Sequence, residues 1–421
     1  MSPHPQDTLA AVAQIEVPVT PGEDRPTHFP AKLIATLTLL AAVAPLAIDM
    51  YLPAFPQMAA EFDTSASAIQ LTLTAFLIGL ALGQLVIGPL SDRYGRRPLL
   101  LAGTLVTALF SAACALAPTI EVLAGARFIQ GFAGAAGIVL GRAVISDRAQ
   151  GAAAAKLFGL LIVVNAIAPI IAPLLGGAIV AGSGWRGVFW ALAALSVLMF
   201  VCVLTMVPES HPKERRTTGG AAATLRDART VLRNRRYLGY TLAYAFAFGV
   251  MFAYISASPF VLQDVHGLST TWYSLAFTAN ALGLVLFSIA NGGLVARFGD
   301  RATLRIGLVL LVAVSALMLV NSLVGPALWA TLALLWCSMG SLGLVIANAT
   351  TLALGQARRA AGTGSAILGA LQFLLAAVIS PLVGIGGEHT AVPMAIAMVV
   401  SAVVALAALT LTSERSTAEV A

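Results

Sequence analysis

Asp49 is a carboxylate inside an apolar stretch near residues 33–53, and among the eighteen acidic residues it alone occupies such a position. A carboxylate in hydrocarbon costs roughly 2.5–3.5 kcal/mol on insertion scales unless it faces a cavity or a partner, so such residues mark proton or substrate pathways. A carboxyl group there can take up and release a proton, as proton-coupled transport requires. The alternative is a solvated interface residue, because Asp49 lies near the end of its stretch.

Arg127 is the second charged residue of this kind, about one turn into the stretch near residues 122–144. If both stretches are helices, Arg127 and Asp49 lie at similar depth and can meet or share a water-filled cavity. A contact made in one state only would couple protonation of Asp49 to conformation. The alternative is that Arg127 snorkels to the membrane surface. Four glycines that permit close helix approach follow on the same flank: Gly131, Gly134, Gly137 and Gly141.

These residues belong to apolar blocks of the length that crosses a bilayer. Hydrophobic residues make up 59% of the 421 residues and charged residues 10%, against roughly 25% charged in an ordinary soluble domain. Because about 20 apolar residues in a helix cross the hydrocarbon, we predict an all-α integral membrane protein with twelve transmembrane helices, not a barrel of alternating strands. The predicted spans are 33–53, 68–90, 98–117, 122–144, 157–181, 187–207, 238–262, 272–295, 303–321, 327–350, 363–385 and 392–412.

The positive charges predict the orientation in the membrane, because Lys and Arg are retained on the cytoplasmic side of short loops. With the N-terminus inside, all 24 Lys and Arg except Arg127 and Arg186 fall in tails or in loops predicted to be cytoplasmic. The basic run at 208–236 is therefore interpreted as a topology determinant at the lipid surface and not as a nucleic-acid site. We expect a multi-pass protein of the inner membrane with both termini cytoplasmic.

The chain divides into two similar halves around that basic linker. Gly88-Pro-Leu-Ser-Asp-Arg-Tyr-Gly-Arg-Arg97 follows the second span of the first half, and Gly292-Gly-Leu-Val-Ala-Arg-Phe-Gly-Asp-Arg301 follows the second span of the second half. Such repeats are common in transporters. The predicted divisions are a disordered cytoplasmic tail without secretory-signal features at 1–31, six-helix halves at 32–207 and 237–412, the linker at 208–236, and a cytoplasmic tail at 413–421.

The segment at 88–97 resembles the signature loop of the major facilitator superfamily, Gly-x-Leu-x-Asp-Arg-x-Gly-Arg-Arg. Three further segments are similar to the twelve-helix drug:proton antiporter branch, and within it to the bicyclomycin and chloramphenicol-resistance group. They are Ile48-Asp-Met-Tyr-Leu-Pro-Ala-Phe-Pro56, Arg127-Phe-Ile-Gln-Gly131 and Ala168-Pro-Ile-Ile-Ala-Pro-Leu-Leu-Gly-Gly177. The resemblance runs from about residue 30 to residue 412 and departs at Ala172, where the family often has Gly. It implies the major facilitator fold.

The resemblance also implies that Asp92 docks near Gly362 to Gly364 at the start of the eleventh helix and holds an inner gate shut. The expected gating residues are Gly88, Asp92, Arg93, Gly95, Arg96 and Arg97. The glycines would permit a sharp turn between two helices. The alternative for the arginines is that they only anchor the topology. The segment at 168–177, called the antiporter helix, contains Pro169, Pro173, Gly176 and Gly177. The two prolines predict a bend. The resemblance implies that this helix seals against proton leak, and the alternative is a plain kink without a coupling role.

Candidate substrate-binding residues are polar or aromatic residues within the predicted spans, because a large apolar pocket with few polar groups suits drug-like ligands. They are Tyr51, Gln70, Gln130, Asn165, Tyr244, Phe248, Tyr254, Asn280, Trp336 and Gln372. The three cysteines have neither metal-site spacing nor a disulfide framework, so we expect no metal and no cofactor.

The function favoured by these features is proton-coupled antiport that exports small drug-like molecules by alternating access. The expected partners are a small-molecule substrate, protons and membrane lipid, with no nucleic acid and a monomeric state. Motifs for nucleotide binding or hydrolysis are missing from the sequence, which argues against an enzyme. The alternatives are a proton symporter that imports a nutrient or metabolite, and a transporter-like sensor, which would be expected to carry an added soluble domain.

Overall fold

The computed structural model describes residues 30–212, 214, 221–357 and 360–412, and these residues form helices joined by short connections, without a strand. An all-helical chain follows from the apolar blocks, because hydrocarbon offers no partner to the backbone and each helix satisfies its own hydrogen bonds. Most of the predicted N-terminal tail, part of the linker and nearly all of the C-terminal tail lie outside the described residues.

The described residues form thirteen α-helices, with short 3-10 or π turns at Leu52–Ala54, Val261–Val265 and Leu409–Thr412. The helices are α1 (Ala31–Asp49), α2 (Phe55–Glu61), α3 (Ala66–Tyr94), α4 (Arg96–Ala115), α5 (Ile120–Arg148), α6 (Gly151–Met206), α7 (Ala221–Arg233), α8 (Arg235–Phe260), α9 (Thr270–Phe298), α10 (Asp300–Val324), α11 (Leu328–Gln356), α12 (Ala361–Leu382) and α13 (Val392–Ala408).

Eleven helical segments of the described chain are long and apolar enough to cross a membrane, and one of them contains two spans. Helix α6 has 56 residues, which at 1.5 Å each would extend about 84 Å, far more than one crossing needs. Its backbone breaks at Gly184, where φ is +69°, a conformation that favours glycine. Residues 151–183 and 185–206 thus form two spans, and the prediction of an all-α membrane protein with twelve spans is confirmed.

Polar side chains mark where several helices begin. Ser65 and Thr119 accept hydrogen bonds from the backbone N–H of Ala68 (3.3 Å) and Val122 (3.4 Å), and Asn234 accepts from Tyr237 (3.2 Å) at the start of α8. Each cap satisfies a backbone donor that has no partner within its own helix. The Ser and Asn caps lie just outside the apolar blocks, so they separate one span from the next.

The end of the bundle next to α7 is called the linker end, and the opposite end is called the far end. Asn234, beside α7, donates to the carbonyl of Gln356 at the end of α11 (3.4 Å), and Tyr237 donates to the carbonyl of Gly364 near the start of α12 (2.7 Å). Helices α8 and α12 therefore begin at the linker end, and α11 ends there. Ser67 at the start of α3 bonds to Pro381 at the end of α12, so α3 ends at the linker end. Helix α5 runs parallel to α3 and also ends there, whereas α1 runs antiparallel to α5 and begins there.

Close backbone contact between α3 and α5 depends on glycines at residues 79, 83 and 131. A methyl group on Gly131 would overlap the carbonyl oxygen of Phe76, and one on Gly79 would overlap that of Phe128. On the other side of α5, a methyl carbon on Gly137 would lie 2.7 Å from the carbonyl oxygen of Leu40 in α1. The predicted glycine flank is therefore in contact at residues 131 and 137. It is wrong at Gly134 and Gly141, where a methyl group would meet open space.

Gly131→Ala should lower the thermal stability of the purified protein, because the added methyl group must push α3 and α5 apart. Overpacking of this kind typically costs about 1–3 kcal/mol. The matched control is Gly134→Ala, one turn further along the same helix, where the methyl group has space. Equal unfolding midpoints for the two variants would contradict the described contact between α3 and α5.

Candidate functional site

A central cavity of about 420 Å³ lies between the first six and the last six spans. Helices α1, α3, α5 and α6 form one side, and α8, α9, α11 and α12 form the other. Most of its wall is apolar, and it includes the aromatic rings of Phe248, Phe252, Phe277 and Phe373. A cavity of this size with few polar groups suits a small, largely apolar ligand.

Hydrogen bonds between the two sets of spans close the far end of the cavity. They run from side chains of one set to backbone carbonyls of the other: Ser67 to Pro381 (3.1 Å), Gln70 to Ser256 (3.1 Å), Thr74 to Ala377 (3.1 Å), Gln263 to Pro53 (3.2 Å) and Thr278 to Ile170 (3.0 Å). All five of these hydrogen bonds lie toward the far end.

Asp49 lies at the deep end of this cavity, as the last residue of α1. Helix α1 ends there because Pro53, four residues later, has no N–H to donate to the carbonyl of Asp49. The residue is 4% exposed, and its Oδ1 atom is buried without a hydrogen-bond partner. The structure thus places the carboxylate inside the bundle and not at a solvated surface.

Arg127 is fully buried and does not snorkel to the membrane surface. Its Nη1 donates to Oε1 of Gln130 (2.7 Å), its Nη2 donates to the carbonyl of Ala47 (3.0 Å), and its guanidinium lies 4.3 Å from the ring centre of Tyr51 and 4.2 Å from that of Phe76. It forms no ion pair with Asp49 in this structure. Arg127 instead binds the backbone of α1 two residues before the acid.

The antiporter helix contacts the same end of α1 from the other side. A methyl group on Gly176 would overlap the carbonyl oxygen of Met50, the residue after Asp49, and one on Gly177 would overlap Oγ of Ser274 in α9. Pro169 lines the cavity. The backbone angles of α6 stay helical at Pro169 and Pro173, and the break in this helix lies at Gly184.

The 88–97 segment is mostly helical and not a loop. Helix α3 continues through Gly88 to Tyr94, and Gly95, with φ of +100°, makes the turn into α4. The expectation that both glycines form the turn is therefore wrong for Gly88, which lies inside α3 where its backbone is helical. Arg93 lies over the ring of Tyr94, with 5.3 Å between the guanidinium carbon and the ring centre.

Charged groups tie the turn at Gly95 to neighbouring helices. Arg96 contacts Asp92 (2.6 Å) and Asp147 (3.1 Å), and it also donates to Ser91. Glu209 accepts from the backbone N–H of Arg96 (2.9 Å), and Arg97 donates to the carbonyl of Leu204 (2.8 Å). Asp92 makes no hydrogen bond to Gly362 or Gly364 here, so its implied docking on α12 is not present in this structure.

Five of the ten candidate substrate residues line the cavity: Asn165, Tyr244, Phe248, Tyr254 and Gln372. The other five do not, because their side chains hold helices together. Tyr51 and Gln130 contact Arg127, and Gln70 bonds to Ser256 across the far end. Asn280 donates to the hydroxyl of Tyr254 (2.8 Å), and Trp336 packs on Phe287, with 5.6 Å between ring centres.

Arg142 is a cavity residue that the sequence interpretation missed. The positive-inside rule places Arg142 in a cytoplasmic loop, but the structure places it in α5, six residues before that helix ends at Arg148. The available signal was its position inside the predicted span at 122–144, four residues after Ile138, which lines the same cavity. Gln84, Thr350 and Ser365 also line the cavity and were not expected there.

Twelve membrane spans around a central cavity that is closed at one end define a multi-pass membrane transporter. The model of the Major Facilitator Superfamily matches residues 37–381. The solved nucleoside transporter NupG has a similar fold, with a TM-score of 0.71 over 91% of this chain and 99% of that one, at 13% identity. The chain belongs to the major facilitator superfamily, and it is a transporter and not an enzyme.

Three relatives share more of the sequence. The uncharacterized MFS-type transporter YdgK of Bacillus subtilis (strain 168) is 39% identical over 90% of this chain and 95% of that protein. A bicyclomycin resistance protein homolog of Haemophilus influenzae is 30% identical over 87% and 92% of the two chains. A chloramphenicol resistance protein of Pseudomonas aeruginosa is 31% identical over 84% and 83%.

Gly176→Ala should reduce transport strongly, because the added methyl group must displace the carbonyl of Met50 and with it the backbone beside Asp49. Gly159→Ala, in the same helix but with open space around the added methyl group, is the matched control and should leave transport unchanged. Transport rates of cells with equal amounts of each protein test this. Wild-type rates for Gly176→Ala would contradict a role for the contact with Met50.

Proposed function

We propose that this chain is a proton-coupled antiporter that exports small drug-like molecules across the inner membrane by alternating access. The observation that carries the proposal is Asp49, a buried carboxylate with an unpartnered oxygen at the deep end of a mainly apolar cavity. Relatives named for bicyclomycin and chloramphenicol resistance support an export function for compounds of that kind.

The missing partner of Asp49 supports proton exchange at this residue. A buried charge without a counterion or hydrogen bonds is strongly unfavourable, whereas a protonated carboxyl group in the same place is tolerated. Asp49 would therefore release its proton when water or a substrate entering the cavity solvates the carboxylate. A substrate that favours the ionised form displaces the proton, which couples the two movements in opposite directions.

Contacts on both sides of Asp49 would transmit its protonation to the helices. Arg127 binds the carbonyl of Ala47, and Gly176 lies against the carbonyl of Met50. A change of charge at Asp49 therefore acts on a backbone that is in contact with α5 and α6. We propose that protonation shifts the population of the two conformations through these contacts, with Arg127 as a positioning residue.

Alternating access would move the closed end of the cavity from the far end to the linker end. In the opposite state, Asp92 would leave Arg96 and dock at the start of α12 near Gly364, while Arg97 and Glu209 keep α4 anchored. This proposal places both termini and the linker at 208–236 in the cytoplasm, so the present state would take up substrate from inside. The moving units would be the halves at 32–207 and 237–412 of a single monomer.

Asp49→Asn should abolish uphill accumulation of substrate in inverted membrane vesicles, because an amide fills the same space but exchanges no proton. Exchange of substrate for substrate should continue. Accumulation of chloramphenicol in vesicles with an acidic interior is the measurement. Asp63→Asn is the control, because Asp63 lies in the connection between α2 and α3 with φ of +47°, which Asn tolerates.

Full accumulation by Asp49→Asn would rule out this residue as the proton carrier. The same vesicles separate antiport from the alternative of symport, because a symporter would move substrate out of an acidic interior together with protons. Accumulation inside acidic vesicles by the wild-type protein therefore supports export in exchange for protons.

A further inference from the structure

Arg142 is a cation on the cavity wall that makes no hydrogen bond and no ion pair with any described residue. Two other arginines of the spans do have partners. Arg127 binds Gln130 and the backbone of α1, and Arg186 binds Glu61. A charge at membrane depth without a protein partner faces water or a ligand, and residues of this kind mark substrate pathways.

The acid of the cavity cannot neutralise this cation, because the two groups lie at opposite ends. Leu40 of α1 and Gly137 of α5 are in contact and therefore at the same depth. From that level Asp49 lies nine residues toward the far end (40 to 49) and Arg142 five residues toward the linker end (137 to 142). At 1.5 Å per residue this places their backbones about 21 Å apart along the bundle. No other charged residue lines the cavity.

Hydrogen-bond donors of other helices line the same cavity as Arg142. Tyr244 lies near Arg142 and donates its hydroxyl hydrogen to Oε1 of Gln372, so Gln372 retains an amide N–H₂ without a partner among the described residues. Ser365, four residues from the start of α12, also lines the cavity. The guanidinium fork and the free amide together offer several N–H donors and no acceptor charge.

An aromatic wall lies next to these donors along α8 and α12. Phe248 contacts Phe252 and Phe373, with ring centres 5.0 Å and 5.6 Å away, and stacks on Tyr244 at 6.1 Å. A flat apolar group could bind on this wall while a polar group attached to it reaches Arg142. The cavity therefore combines an apolar surface with one unneutralised positive charge.

We propose that Arg142 and Gln372 form a subsite for the carboxylate of an amphipathic organic anion whose apolar part lies against Phe248, Phe252 and Phe373. The inference rests on the proposed function, since it takes the central cavity as the substrate site. Guanidinium binds carboxylate through two parallel hydrogen bonds, which neutral acceptors do not match in strength. The subsite makes anionic compounds a substrate class of this transporter.

Three matched naphthalene compounds test the subsite in the purified full-length protein by titration calorimetry at neutral pH: 2-naphthoate, neutral 2-naphthamide and cationic 2-naphthylmethylamine. Wild-type protein should bind the naphthoate about ten- to a hundredfold more tightly than the amide. Arg142→Gln should weaken naphthoate binding at least about tenfold and change naphthamide binding less than about twofold. In the comparison of wild type with Arg142→Gln, the partition of each compound into detergent cancels, and in the comparison of compounds the measured partition of each one is subtracted.

Arg148→Gln, which removes a cation from the same helix outside the cavity, is the control and should leave all three affinities unchanged. Arg142→Lys should keep part of the preference for naphthoate, and it replaces Arg142→Gln as the test if the latter does not fold.

Equal wild-type affinities for naphthoate and naphthamide, or equal losses of both in Arg142→Gln, would overturn the subsite. Failure of all three compounds to bind the wild-type protein would overturn it as well. Each of these results is compatible with proton-driven accumulation of chloramphenicol in the vesicle assay. Failure of the subsite is therefore distinguishable from failure of the proposed antiport function, which the vesicle assay measures independently.

Discussion

A carboxylate at the depth of the hydrocarbon has no bulk water to stabilise its charge, and the arrangement around Asp49 follows from this constraint. Pro53 ends α1 at Asp49, since it cannot donate to the carbonyl of residue 49. The side chain then lies at the deep end of the cavity with one oxygen unpartnered. Among the described residues, none forms an ion pair with this acid.

The backbone next to the acid is held firmly, although the acid itself is not. Arg127 bonds to Ala47 on one side, and Gly176 lies against Met50 on the other. Both contacts are made to carbonyl groups that flank Asp49, so a change of charge at Asp49 acts on a backbone held against α5 and α6. Under the proposed function, protonation of Asp49 would shift the population of the two conformations through these contacts.

The sequence predicts the spans and the depth of Asp49 and Arg127, because hydropathy reports which residues lie in the membrane. It does not predict helix rotation, because α3 and α11 are apolar on most faces, and for this reason Gln70 and Trp336 are wrongly expected in the cavity. Arg142 is missed for another reason, because the positive-inside rule places it in a cytoplasmic loop although it lies within a predicted span. The partner of Arg127 is a backbone carbonyl, which no residue type reveals, and Gly88 and Gly95 look alike in sequence although only Gly95 has a positive φ.

If substrate and proton compete through Asp49, binding of substrate must release a proton. A pH-sensitive dye in weakly buffered solution can count the protons released when chloramphenicol binds the purified protein. We expect release that approaches one proton per bound molecule in wild-type protein, and none in Asp49→Asn with binding retained. Binding without proton release by wild-type protein, or the same release from Asp49→Asn, would show that Asp49 does not exchange the proton.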